Sequence, residues 1–179
     1  MKNKRNFIIL SMPRSRTAWL SLYLTLAGLA CEHELIAKSD SFESAISKIK
    51  SQEIGCCDTG QILRLKEIKD ELNPRILIIK RDINDVKDSL SKIGINGVDE
   101  LLSKQNDLLN LASKENDTLT IQFQNIDSRI EEIYSFLSGG LEFNKEIYDR
   151  VKDYNIQFNN LIEYTSSLDQ TNILRNYGI

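Results

Sequence analysis

Two clusters of basic and hydroxyl residues carry the chemistry of this chain. The first, Pro13-Arg14-Ser15-Arg16-Thr17-Ala18-Trp19, follows the short apolar run Phe7-Ile8-Ile9-Leu10 and opens a stretch of helical character. The N–H groups in a helix's first turn lack intrahelical acceptors and lie at the positive end of its dipole. Ser15 to Trp19 therefore offer donors to an oxyanion, and Arg14 and Arg16 can add charge-assisted contacts. The spacing is not that of the nucleotide-triphosphate loop, which needs two glycines and a Lys-Ser/Thr pair.

The second cluster follows another apolar run, Ile76-Leu77-Ile78-Ile79, with Arg81 just beyond it and Ser89 eight residues further on. Ligands of open α/β sheets bind at the carboxyl ends of strands, so Arg81 is expected on the same edge as the first loop. Eight helical residues span roughly 12 Å, so Arg81 and Ser89 meet one anion only if their helix packs across the strand end. A surface ion pair between Arg81 and Asp82 is the plainer alternative.

The elements that must position these groups alternate strand-length apolar runs with helical periods, which predicts an α/β domain: three layers around a mostly parallel sheet. Strands are expected at Asn6 to Ser11, Glu53 to Cys57, Arg75 to Lys80 and Thr118 to Phe123. Helices are expected from Ser15 to Ala30, from an Asp40/Glu43 capping box to Lys50, and through Ile62 to Leu72. Further helices are expected from Asp82 to Ile93, Leu101 to Ala112, Ser128 to Leu137 and Asn144 to Tyr154, with a Gly139-Gly140 turn between the last two. The 179 residues suit one domain, 1–179.

A net charge of −3 gives no global field for nucleic acid or acidic membrane, so any anion is held locally. The greasiest segment, Ala18 to Cys31, is shorter than the ~18 residues a spanning helix needs and reads as a buried helix. Three cysteines (Cys31, Cys56 and Cys57) without Cys-x-x-Cys spacing fit a reducing cytoplasm.

The two clusters resemble those of the sulfotransferases that use 3′-phosphoadenosine 5′-phosphosulfate (PAPS). That family carries a strand, then Pro-Lys/Arg-Ser-Gly-Thr-x-Trp/Leu and a helix, and later a strand ending in Arg with Ser eight residues downstream. Phe136-Leu137, Phe143 and Tyr154-Asn155-Ile156-Gln157 are similar to the closing segment of bacterial and phage members. The resemblance implies a P-loop nucleotide-kinase-like sulfotransferase architecture. It implies that Arg14, Ser15, Arg16, Thr17 and Ala18 wrap the 5′-phosphosulfate, that Trp19 packs on adenine, and that Arg81 and Ser89 bind the 3′-phosphate. Trp19 would serve equally as core. Arg16 stands where the family has Gly, so its side chain must either leave the loop or join the site.

Sulfuryl transfer moves a group with less charge than a phosphoryl group, so arginines and N–H dipoles can stabilise its transition state, and no metal is expected. The acceptor's hydroxyl or amine must lose a proton. By the resemblance Glu34 or His33, just after the first helix, matches the family's base; Asp58 at the second strand's end is a third candidate. The resulting expectation is a cytoplasmic sulfotransferase acting on a small-molecule or glycan acceptor, with adenosine 3′,5′-bisphosphate (PAP) as product. An ATP/magnesium phosphotransferase and an inactive nucleotide-binding module are the alternatives.

Overall fold

A computed structural model describes residues 6–154 and 156. The first apolar run forms β1 (Phe7–Ser11), and α1 (Thr17–Leu26) follows the basic loop. Next come β2 (Cys31–His33), the four-residue α2 (Leu35–Lys38), α3 (Phe42–Gln52) and β3 (Gly55–Thr59). A 3-10 turn at Gln61–Arg64 leads into α4 (Leu65–Leu72), then β4 (Arg75–Lys80), α5 (Ile83–Ser91), α6 (Asp99–Ala112) and β5 (Thr118–Gln122). Two 3-10 turns then precede α7 (Ile130–Ser138) and α8 (Lys145–Val151).

All strand pairings are parallel, in the order β2-β3-β1-β4-β5, so β1 is central with β3 and β4 on its flanks. A parallel sheet is covered on both faces, which is why β1 and β4 read as unbroken apolar runs. Side chains alternate across the strands. Ile8, Leu10, Cys56, Ile76 and Ile78 pack with α3 to α6, whereas Phe7, Ile9, Cys57, Leu77 and Ile79 pack with α1, α7 and α8. The result is a three-layer α/β/α sandwich.

Several boundaries differ from expectation for local reasons. The first helix ends at Leu26, because Gly28 (φ 86°) turns the chain, and Cys31–His33 becomes an edge strand beside β3. Three residues are too few to show a period. Ser41, not Asp40, caps α3, accepting from Ser44 N at 3.1 Å. Glu53 is left-handed at the end of α3, so β3 starts at Gly55 and continues through Asp58 to Thr59. A Cβ at Gly55 would sit 2.0 Å from the Phe7 ring, so any side chain there requires that ring to shift.

Residues Thr17 to Leu24 of α1 are buried without a break, matching their apolar sequence. Among the described residues no helix is long and apolar enough to cross a membrane. All three cysteines are buried, with Cys31 Sγ 3.6 Å from Cys57 Sγ. Asn155 and Gln157 of the expected closing segment lie outside the described residues.

Candidate anion-binding site

The loop between β1 and α1 gets its shape from two arginines in the left-handed region, Arg14 (φ 65°) and Arg16 (φ 59°). Each such L-residue costs about 1 kcal/mol. Alternating handedness curls successive backbone N–H groups toward one concave side, the geometry of an anion nest, and the first turn of α1 adds its own donors. Ser15 is fully buried between the two, and its hydroxyl has no hydrogen-bond partner among the described residues, leaving a donor for an oxyanion.

Arg81 comes to this loop from the end of β4. Its guanidinium donates to the Arg14 carbonyl and lies 4.4 Å above the Phe123 ring, while its buried Nε has no partner among the described residues. Burial lowers its pKa first; Asp85 opposes that shift and the nearby Arg14 charge adds to it. Arg14 in turn donates through Nε to Ser89 Oγ at 3.0 Å, which places the α5 residue Ser89 beside the loop. Asp82 is occupied otherwise, capping α5 by accepting from Asn84 N at 2.8 Å. Arg81 therefore turns inward.

These groups line a pocket of about 270 Å³, formed by Arg14, Ser15, Arg16, Thr17, Ala18, Arg81 and Ser89 together with His33, Thr59, Phe123 and Ile156. Each strand delivers a group at or just past its carboxyl end: His33 from β2, Thr59 from β3, the loop from β1, Arg81 from β4 and Phe123 from β5. Across five strands the array spans about 19 Å at ~4.8 Å per neighbour.

No family model and no curated protein sequence matches this chain. Among solved structures the architecture matches mouse sulfotransferase SULT7A1 complexed with PAP, at a TM-score of 0.61 and 13% identity over 86% of this chain. The chain shares the sulfotransferase fold. It spans 65% of the length of that mouse protein.

Within this fold the three candidate bases have different surroundings, and of them only His33 lines the pocket. His33 Nε2 lies 3.1 Å from Thr17 Oγ1 and 3.6 Å from Glu34 Oε1. Burial, with Lys38 adding to it, pushes the imidazole pKa down to about 3, so the ring is neutral. Glu34 sits behind it, accepting from Thr59 N at 3.1 Å and Thr59 Oγ1 at 2.6 Å. Burial and the Asp58 carboxylate push Glu34 up to about 8, against the Thr59 hydrogen bonds. Asp58 is fully buried and holds the start of α2, accepting from Ile36 N and Ala37 N at 3.2 and 3.3 Å. Its position is structural.

Trp19 does not reach the pocket. It is 1% exposed, donates to the Val151 carbonyl at 2.8 Å and stacks on Tyr23, with ring centroids 5.7 Å apart. These contacts make it core, and the aromatic face in the pocket belongs to Phe123 instead. Arg16 borders the pocket, yet its guanidinium bonds Asp127 at 2.7 Å and covers the Trp19 ring at 4.1 Å. Thr59 and Phe123 escape the sequence reading, although both stand, like Arg81, at strand ends.

Proposed function

We propose that this protein is a sulfotransferase that transfers a sulfuryl group from PAPS to an acceptor hydroxyl or amine. The observation that carries the reading is the order of groups along the sheet edge. A neutral imidazole stands at one end, two convergent guanidiniums and a helix N-terminus at the centre, and an aromatic face at the other. That order suits a nucleotide with two anionic groups, its base toward Phe123 and its reactive end toward His33. The Ser15 hydroxyl and Arg81 Nε, unpartnered among the described residues, are donors such a ligand would use.

In this reading PAPS supplies the sulfuryl group. The nest amides, Ser15, Thr17 and Arg14 hold the phosphosulfate and stabilise charge on the departing phosphate oxygen. Arg81 and Ser89 hold the 3′-phosphate. As the acceptor oxygen bonds to sulfur and the bond to the phosphate oxygen breaks, His33, its proton affinity raised by the bound anion, takes the acceptor's proton. Thr17 and Glu34 both meet the ring at Nε2 and hold it there.

Titration calorimetry with PAP, AMP and ATP, with and without magnesium, tests the assignment. Arg81→Ala should weaken PAP binding about tenfold to a hundredfold and AMP binding little. Equal losses for PAP and AMP, or tight magnesium-dependent ATP binding, would overturn it. Selective PAP binding without transfer to any acceptor would leave a binding module.

A further inference from the structure

The side chain at position 16 does something that glycine at this point of the resembling motif could not do. Arg16 Nη1 bonds Asp127 Oδ2 at 2.7 Å, Nη2 donates to the Lys152 carbonyl at 3.4 Å, and the guanidinium plane lies over Trp19. Asp127 also accepts from the Tyr148 hydroxyl at 3.1 Å. Trp19 donates to the carbonyl of Val151, the last residue of α8. Two side chains from the start of α1 therefore cap the carboxyl end of α8, where cations and donors are favoured. Just beyond it, Tyr154 and Ile156 pack on Ala18 and Leu22, and Ile156 lines the pocket.

We propose that Arg16 is a positioning residue: a clamp by which the anion loop draws in α8 and sets Ile156 at the pocket wall, and not a ligand of the anion. Its hydrogen bonds are directed to Asp127 and Lys152, and the Asp127 carboxylate balances its charge. The clamp rests on the PAPS reading only for its effect on binding; its geometry stands without it.

The test uses the whole chain, PAP as probe and Trp19 emission as a second readout, since Trp19 is the only tryptophan. Arg16→Gly suits the left-handed backbone, and the Asp127 side chain is 53% exposed, so Arg16→Gly and Asp127→Asn should both fold. Each should weaken PAP binding about threefold to fivefold, the double variant should lose no more than either, and Asp127→Glu should restore binding. Both single variants should shift Trp19 emission without ligand. If Asp127→Asn binds PAP as well as or better than the parent while Arg16→Gly binds worse, Arg16 is a ligand and the clamp is wrong. Should the parent itself not bind PAP, the functional reading fails, and the emission still decides the clamp: an unchanged spectrum in Asp127→Asn overturns it.

Discussion

The Thr17 hydroxyl lies 3.1 Å from Nε2 of His33, joining the first turn of α1 to the end of the edge strand β2. Through this contact a residue that lines the pocket also orients the imidazole. Replacing His33 by Gln should reduce sulfate transfer at least about a hundredfold and change PAP affinity less than twofold. Turnover and calorimetry on the same preparation check this; a parallel loss of binding would make His33 a ligand for the nucleotide.

His33 is the only histidine, so its ring protons report one titration. Without ligand the NMR midpoint should fall near pH 3, far below 6.5, because burial and Lys38 disfavour the cation. Bound PAP brings negative charge to the nest and should move the midpoint up. A midpoint near 6.5 in the ligand-free protein would contradict the burial of the ring.

Stability should depend on pH in opposite senses at these neighbours. The folded His33 holds its proton less tightly than the unfolded chain, so its contribution is lost as pH falls from about 6.5 toward 3. The folded Glu34 holds its proton more tightly, so its contribution is lost as pH rises from about 4.5 toward 8. Melting temperature against pH should rise, level, then decline. Glu34→Gln should flatten the alkaline decline and His33→Gln the acidic rise.

Gly55→Ala should destabilise the protein by about 1–3 kcal/mol in urea unfolding, because the new methyl meets the Phe7 ring. Phe7→Leu in the same chain should recover part of the loss. A neutral Gly55→Ala would mean that the ring moves freely.

Trp19→Phe should cost about 1–3 kcal/mol of stability by orphaning the Val151 carbonyl, with PAP affinity reduced only in step with the altered packing. A selective loss of adenosine affinity, with the melting temperature unchanged, would return Trp19 to the pocket.

Much of this architecture is legible in the residues because buried parallel strands announce themselves. Arg75 to Lys80 is bounded in the structure where its apolar run predicts, and Arg81 follows at the sheet edge. The anion loop is legible for the same reason, as arginines directly after an apolar strand. β2 is not, since Cys31-Glu32-His33 is too short to show alternation and pairs with a strand 24 residues away, Cys31 opposite Gly55. The fate of Trp19 hinges on a carbonyl 132 positions later, and that of Arg16 on Asp127, 111 positions later. Thr59 and Phe123 belong to the pocket through strand order, which no local pattern encodes.

Because every strand of the sheet contributes to the cleft, its ruler is the ladder of main-chain hydrogen bonds beneath it. Grafting the loop after β1 alone onto another scaffold would leave behind the groups that the other four strands deliver. A slip in register between two neighbours would shift a whole subset of contacts by one rung, so fidelity of ligand choice is inherited from the pairing of the strands.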